Sequence, residues 1–217
     1  MGNKSAELAL VMQFAKWPEA GRVKTRLMPE LGEQGALEAH VVLSLAVLDQ
    51  LSHSECEVRF LWDREMASVP DAALPIVNRI EALGLQQGFQ RGDVLGQRVE
   101  TALSEGLAEC SKAIIVGSDC PAVDADYIHQ AVQALDQADV VLGPSDDGGY
   151  VLIGARAHTP GMLEGINWGT DRALAETVAR LDAVGLTCLQ LPPRWDVDEP
   201  EDWRRFVRQF PQYCSVR

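Results

Sequence analysis

Apolar segments of two kinds alternate along most of this chain. Short β-branched or aromatic runs, such as residues 113–116, have the length of strands, whereas residues 93–110 repeat their apolar positions with the period of a helix. This alternation is typical of an α/β fold with a mostly parallel sheet. The pattern predicts strands at residues 8–14, 58–62, 113–116, 140–142, 150–153 and 187–191, and helices at residues 35–51, 76–83, 93–110, 124–135, 170–183 and from Pro200 onwards.

The run 113–116 is the most apolar of the predicted strands, and such runs are buried on both faces of a sheet. We therefore expect it at the sheet centre. Strand 140–142, the turn 143–149 and strand 150–153 predict a hairpin, since aspartate followed by glycine favours a tight reversal. No linker or repeat interrupts the pattern, so we expect a single domain over residues 1–217.

Composition narrows the range of partners. The 217 residues include 19 basic and 32 acidic side chains, a formal net charge of −13. Because nucleic acids and anionic membranes bind clustered lysine and arginine, we expect neither as a partner. Five widely spaced cysteines without a paired motif predict reduced thiols, and the apolar runs are too short for a membrane span or a signal peptide. The sequence predicts a cytoplasmic protein.

One segment runs against the acidic balance. Residues 15–28 hold four basic side chains and one acidic one, giving a net charge of +3 directly after the first predicted strand. Ligands of α/β sheets bind beyond the carboxyl ends of the strands, so Lys16, Arg22, Lys24 and Arg26 could bind a di- or triphosphate. The alternative is a solvated loop whose charges pair with nearby carboxylates.

Carboxylates follow three of the later predicted strands. Asp119 comes after the central strand, Asp147 lies beside Gly148 and Gly149 in the hairpin turn, and Asp196 alternates with Asp198 before the last helix. Oxygen ligands at such positions suit Mg²⁺ or Mn²⁺. The alternatives are a helix cap for Asp119 or Asp124, ordinary turn chemistry for the hairpin, and the positive end of the last helix for Glu201 and Asp202. The four histidines show no metal-ligand spacing.

Taken in order, five motifs resemble the bacterial glycosyltransferase-like family within the nucleotide-diphospho-sugar transferase superfamily. The motifs are Phe14-Ala15-Lys16-x-Pro18-Glu19-Ala20-Gly21-Arg22-Val23-Lys24-Thr25-Arg26-Leu27, Gly92-Asp93-x-Leu95-Gly96-x-Arg98, Gly117-Ser118-Asp119-Cys120-Pro121, Gly143-Pro144-x-x-Asp147-Gly148-Gly149-Tyr150 and Asp196-Val197-Asp198. The resemblance implies the A-type glycosyltransferase fold, a three-layer α/β/α sandwich that binds a nucleotide over the first half of its sheet.

The resemblance also implies roles for individual residues. Lys16, Arg22, Lys24, Arg26 and Asp93 would bind the substrate, as would Gly148 and Gly149. Lys24, Asp119 and Asp147 would take part in catalysis. Asp119 and Asp198 would hold Mg²⁺ or Mn²⁺.

Three functions are compatible with these residues. The first is metal-assisted transfer of a glycosyl group from a nucleotide sugar to a small acceptor, with release of a nucleoside diphosphate. The second is nucleotidyl transfer from a nucleoside triphosphate to a small phosphorylated acceptor, as in 2-phospholactate guanylyltransferase and the molybdenum-cofactor nucleotidyltransferases, with release of pyrophosphate. The third is a nucleotide-sugar sensor without turnover. The oligomeric state is not specified by the sequence.

Overall fold

The computed structural model describes residues 9–214, which contain a seven-stranded sheet with the order β3-β2-β1-β4-β6-β5-β7. Its strands are β1 (Ala9–Ala15), β2 (Glu57–Trp62), β3 (Gln86–Phe89), β4 (Lys112–Gly117), β5 (Val140–Pro144), β6 (Tyr150–Ala155) and β7 (Cys188–Gln190). The helices are α1 (Met28–Ser52), α2 (Leu74–Ala82), α3 (Leu95–Glu109), α4 (Ala125–Ala134), α5 (Ala173–Ala183), α6 (Pro200–Gln209) and the short α7 (Pro211–Cys214).

The sheet is parallel except for β6, which is antiparallel to both β4 and β5. The predicted hairpin is therefore confirmed as β5 and β6. The predicted central strand is also confirmed, because β4 is the fourth of the seven strands. Its four residues 113–116 are all buried.

Helices cover both faces of the sheet. This is required because successive side chains of β1 point to opposite faces and the apolar ones on each face must be buried. Val11 faces a cluster that includes side chains of α1, α2 and α4, whereas Leu10 and Met12 face a cluster that includes α3 and α5. A third cluster joins the first half of α1 to α6 through Phe206. The predicted three-layer α/β/α architecture is confirmed.

The stretch Thr25–Ser52 contains an 18-residue window with a mean hydropathy of 1.2 and is long and apolar enough to cross a membrane by length and composition alone. Half of its most apolar window is buried, and Leu43, Val47, Leu48 and Leu51 are fully buried in the core. A core helix of a soluble protein meets the same criterion, so this stretch is not clear evidence of a membrane span.

Most predicted elements differ from the structure only at their ends. The helix predicted at 35–51 begins earlier, at Met28, and contains a break at Gly32, whose φ of 71° lies outside the helical region. Residue 8, the predicted start of the first strand, lies outside the described residues. The strand β3 was not predicted, because its sequence Gln-Gln-Gly-Phe carries no run of β-branched residues.

The strand register brings the predicted motifs to one edge of the sheet. Phe14 of β1 lies opposite Gly117 of the parallel β4, so the basic loop and Asp119 leave the sheet side by side. Val116 lies opposite Leu152 of the antiparallel β6, so the turn that precedes β6 meets the same edge.

Candidate active site

The basic loop that follows β1 is anchored at its start by Trp17. The Trp17 ring stacks on Trp62 with centroids 3.8 Å apart, and its backbone and indole N–H groups donate to the Asp63 carboxylate and the Arg64 carbonyl at 2.9 and 2.8 Å. Arg64 also pairs with Glu19. These contacts hold the first half of the loop on β2 and leave its second half to face the sheet edge.

Lys24 is the central contact of the loop. Its side chain is only 8% exposed, and its ammonium donates to Asp119 Oδ2 at 3.0 Å and to the Val197 carbonyl. Its φ of 46° makes it the only residue other than glycine with a positive φ in the described range 9–214. Such strained conformations are retained where the surrounding structure determines them, and they cluster at functional sites.

The acidic segment before α6 is tied to the same place. The Val197 N–H donates to the Asp119 carbonyl at 2.9 Å, and the Cys120 thiol donates to the Trp195 carbonyl at 3.0 Å. Arg26 pairs with Asp198. The basic loop and the acidic segment therefore meet at one edge of the sheet.

Asp119 lies at the junction of these segments, with its side chain 41% exposed. Burial alone would raise the pKa of Asp119, but the charge and hydrogen bond of Lys24 outweigh it and hold that pKa below its usual value. Asp119 is therefore ionised at neutral pH. The expected alternative of a helix cap belongs instead to Asp124, which accepts a hydrogen bond from the Tyr127 N–H at 2.8 Å.

His40 of α1 lies beneath the basic loop and is 6% exposed. Its Nε2 is 2.9 Å from the Lys16 carbonyl, which only accepts, so Nε2 carries the proton. Burial lowers the pKa of His40, and the charges of Lys24 and Lys16 lower it further against the opposing effect of Asp119. His40 thus supports the loop as a neutral imidazole.

This neutral histidine predicts a stability change with pH. As the pH falls below the usual pKa of about 6.5, His40 binds a proton more readily in the unfolded chain than in the folded protein. The stability that neutral His40 contributes is therefore lost as the pH falls. We expect the His40→Gln variant, which keeps a donor for the Lys16 carbonyl, to lose less stability than the wild type between pH 7.5 and 5.5. Urea unfolding at both pH values measures the difference. Equal losses would contradict a buried neutral His40.

The hairpin turn presents Asp147 to the same edge. Asp147 Oδ1 accepts hydrogen bonds from the Ser145 hydroxyl and, at 3.0 Å, from the Gly149 N–H. Gly148 has a φ of 86°, and a Cβ there would lie 2.3 Å from the Asp171 carbonyl oxygen. The turn therefore requires glycine at this position, and it holds the Asp147 carboxylate through one oxygen only.

Asp196 is the third carboxylate of the site. Burial raises its pKa to about 7, and the charges of Asp119 and Asp147 contribute to the shift. Trp195 and Val197, on either side of Asp196, are buried in the core, so alternation turns Asp196 and Asp198 towards the sheet edge. Three neighbouring carboxylates make this part of the edge a place that attracts positive charge.

Removing the Asp196 charge should stabilise the protein. The folded-state pKa of about 7 lies above the usual 3.8, so the destabilisation by this carboxylate grows as the pH rises from about 3.8 to about 7 and is largest above 7. We expect Asp196→Asn to increase the free energy of unfolding by about 1–2 kcal/mol at pH 8, after allowance for solvent screening. The gain should shrink at pH 5.5, where folded Asp196 is already protonated. Urea unfolding at the two pH values checks this, and no gain at pH 8 would contradict the cost of the buried Asp196 charge.

Two cavities open at this edge. The basic cavity has a volume of about 440 Å³, and its charged lining comprises Lys16, Arg22, Lys24, Arg26, Asp119 and Asp198. The acidic cavity has a volume of about 220 Å³, and its charged lining comprises Asp119, Asp147 and Asp196. Both include Asp119, Gly117 and Leu95, so the two cavities are adjacent.

The structure thus brings together most of the predicted site residues. Lys16, Arg22, Lys24, Arg26, Asp119 and Asp198 share the basic cavity, and Asp119, Asp147 and Gly149 share the acidic one, with Gly148 shaping its turn. Asp93 is different, because it is exposed before α3 and lines neither cavity.

Three groups were not singled out by sequence reasoning. His40 was given an ordinary polar role, because it lies 24 positions from the carbonyl it supports. Asp196 was noted beside Asp198 but was not assigned to the metal. Tyr150 ends one of the five motifs but received no role, and its ring partner Trp168, which also lines the acidic cavity, belongs to none of them.

This edge of the sheet offers carboxylates to a divalent cation. Within residues 9–214, no group of three or more histidine, cysteine, aspartate or glutamate side chains is arranged to hold a metal ion. Asp119 and Asp198 line the cavity that carries the cationic side chains. A magnesium ion that arrives on substrate phosphates needs only one or two protein carboxylates. The donor set therefore fits an ion shared with a phosphorylated substrate rather than a cage of protein ligands.

Comparison with known proteins gives a family and a fold. Residues 49–170 match the model of a family described as "uncharacterized protein conserved in bacteria (DUF2064)". None of the curated proteins that were compared matches the sequence. Among solved structures, a candidate nucleotide-diphospho-sugar transferase from Desulfovibrio desulfuricans G20 is 27% identical with a TM-score of 0.79, and the alignment covers 96% of this chain and 89% of that one.

Two more distant structures share the fold alone. CMP:2-keto-3-deoxy-manno-octonic acid synthetase complexed with CTP is 12% identical, with a TM-score of 0.59 and coverage of 95% and 99%. Rv0371c from Mycobacterium tuberculosis H37Rv, in complex with manganese, is 16% identical, with a TM-score of 0.54 and coverage of 94% and 100%. The expected superfamily of nucleotide-diphospho-sugar transferases is confirmed.

Proposed function

We propose that this chain moves a glycosyl group from a nucleotide sugar to a small acceptor. The chain belongs to the DUF2064 family of bacterial proteins and is a transferase of the nucleotide-diphospho-sugar transferase superfamily. The observation that carries the proposal is the pair of adjacent cavities of opposite charge that share Asp119. The basic cavity would bind the diphosphate of the donor, and the acidic cavity would bind the acceptor. We propose the cytoplasm as the place of reaction, since all five cysteines are free thiols.

The basic loop would bind the diphosphate. In the described residues, no side chain pairs with the Lys16 ammonium, which remains free for an anion at the cavity. The buried Lys24 is fixed by its backbone conformation and its two partners, so its charge is oriented before the substrate arrives. Fixed positive charges of this kind stabilise the charge that develops on a departing diphosphate.

A divalent cation would complete the donor side. Asp119 and Asp198 would hold Mg²⁺ or Mn²⁺ together with the substrate phosphates. When bound, the ion neutralises negative charge on the leaving group. The distant structural neighbour in complex with manganese supports the choice of ion.

On the acceptor side, Asp147 would take the proton. Its Oδ1 accepts two hydrogen bonds within the turn, which leaves Oδ2 for the acceptor hydroxyl. As the acceptor oxygen bonds to the sugar carbon, the bond from that carbon to the phosphate oxygen breaks and the hydroxyl proton passes to Asp147. The turn glycines would let the acceptor approach closely.

The test is a panel of nucleotide sugars incubated with the purified protein, with and without Mn²⁺. We expect at least one donor to raise the melting temperature and to release its nucleoside diphosphate in a metal-dependent manner. Neither binding nor release across the panel would contradict the proposal. Asp119→Ala should abolish release, whereas a sensor without turnover would bind tightly and lose little affinity in this variant.

Nucleotidyl transfer is the second candidate, and the fold shared with a synthetase complexed with CTP favours it. The same basic cavity would then bind a triphosphate, and the product would be pyrophosphate. An assay for pyrophosphate with each nucleoside triphosphate and a set of phosphorylated acceptors separates the two reactions. Pyrophosphate without nucleoside diphosphate would replace the first candidate with the second.

A further inference from the structure

The acidic cavity differs from the basic one in the kind of molecule it can accept. Asp119, Asp147 and Asp196 line it, and its lining contains no lysine, arginine or histidine. Asp119 is already paired with Lys24, so the uncompensated negative charge comes from Asp147, joined by Asp196 as the pH rises above about 7. A phosphate or carboxylate group entering this cavity would meet carboxylates and no basic side chain of the lining, and such like-charge contacts suppress binding.

Part of the lining of the acidic cavity is apolar and aromatic. Tyr150 and Trp168 meet edge to face with centroids 5.7 Å apart, and Leu95 adds an apolar side chain that is 44% exposed. A lining that combines aromatic side chains with hydrogen-bond acceptors matches a ring that has an apolar face and hydroxyl groups at its rim. The carboxylates accept from such hydroxyls, and the Ser145 and Thr170 hydroxyls also line the cavity.

The volume limits the size of the bound group. The cavity measures about 220 Å³, and a cavity of about 150 Å³ already holds benzene. One six-membered ring with its hydroxyl groups is therefore the natural unit for this space.

We propose that the acceptor is an uncharged molecule that presents a single hydroxylated ring or a short polyol to the acidic cavity, and that phosphorylated acceptors are excluded. This inference rests on the proposed function, because it assigns the acidic cavity to the acceptor. The basic cavity would then bind the phosphates of the glycosyl donor, and the acidic cavity would select against phosphates on the acceptor. The inference also disfavours the nucleotidyl-transfer alternative in the form that uses a phosphorylated acceptor.

The experiment compares matched pairs of free alcohols and their phosphate monoesters: glucose and glucose 6-phosphate, inositol and inositol 1-phosphate, glycerol and glycerol 3-phosphate. Each is added to the protein with its active nucleotide sugar and Mn²⁺. We measure acceptor-dependent release of nucleoside diphosphate, and we measure binding by saturation-transfer NMR with the nucleoside diphosphate bound. We expect at least a tenfold preference for the uncharged member of a pair.

The outcomes separate the two proposals. A preference for the phosphate esters, or no binding by either member of any pair, would overturn the acceptor assignment while nucleotide binding still stood. Absence of any nucleotide binding would remove the proposed function and this inference together.

Two variants test the cause of the preference. Thr170→Lys places a cation in the lining of the acidic cavity, and we expect it to reduce the discrimination against phosphate esters at least threefold. Trp168→Leu removes one of the two aromatic side chains of the lining. We expect it to raise the KM for ring acceptors at least fivefold, with Trp168→Phe close to the wild type. Unchanged discrimination in Thr170→Lys would show that charge does not select the acceptor, and it would overturn the inference.

Discussion

Replacement of Lys24 by Met is expected to lower kcat for the release of nucleoside diphosphate by about 10²–10³-fold, the usual cost of removing one fixed donor from a site of developing negative charge. Lys24 is 8% exposed and is oriented by Asp119 and the Val197 carbonyl, so a flexible neighbour cannot replace its charge. Methionine keeps the length and the apolar stem of the side chain. The measurement is steady-state release of nucleoside diphosphate from the active nucleotide sugar.

Lys112 provides a matched control. Its side chain is 14% exposed, pairs with Asp136 and donates to the Val132 carbonyl at 2.9 Å, so it has the same kinds of partner as Lys24. It begins β4, at the opposite end of the strand from Asp119. We expect Lys112→Met to lose stability but to keep its kcat within about twofold of the wild type. Equal turnover in the two variants would contradict the role of Lys24.

The second large effect is expected on stability, at Gly148. An added Cβ would lie 2.3 Å from the Asp171 carbonyl oxygen, and the positive φ of 86° adds strain for any residue other than glycine. Backbone atoms cannot move aside as a flexible side chain can, so we expect Gly148→Ala to reduce the free energy of unfolding by at least about 3 kcal/mol. Urea unfolding measures this loss.

Gly84 separates the clash from the strain. It has a φ of 66°, but a Cβ there would meet no atom within 4 Å. We expect Gly84→Ala to cost only about 1 kcal/mol, the penalty of the left-handed conformation. A similar loss in the two variants would show that the close approach of Asp171 to the hairpin turn does not constrain Gly148.

Most of the fold could be predicted from the sequence because four of its strands, β1, β4, β5 and β6, are buried on both faces. The run in β4 has no polar residue between Ala113 and Val116, and such runs are hard to mistake. β3 was missed because it is an edge strand, and its only partner in the sheet is β2. Its sequence Gln-Gln-Gly-Phe satisfies the backbone ladder without the side chains that usually mark a strand.

The candidate site could be predicted only as far as topology determines it. Parallel and antiparallel pairing with β4 brings the basic loop and the hairpin turn to one edge, and a sequence pattern is enough to place them there. The pattern cannot distinguish Asp196 from Asp198, because both alternate with buried residues. Side-chain contacts separate them, since Asp198 pairs with Arg26 and Asp196 lies near the charges of Asp119 and Asp147.

The motif that contains Asp93 suggested a substrate contact, but Asp93 lines neither cavity. Its backbone N–H donates to the Gln97 side chain at 3.0 Å, at the start of α3. The glycine and arginine of that motif also serve local structure, because the Arg98 guanidinium donates to the Gly92 carbonyl at 2.9 Å. Asp93 therefore remains a predicted substrate residue without support from the two cavities.

The most direct measurement is a crystal structure of the protein with Mn²⁺ and the nucleoside diphosphate that raises its melting temperature most, with the manganese located by anomalous scattering. We expect the diphosphate within hydrogen-bonding distance of Lys24 Nζ and the manganese bound to Asp119. A diphosphate in the acidic cavity, or in the separate cavity lined by Gln97, Glu100 and His158, would contradict the assignment of the two cavities.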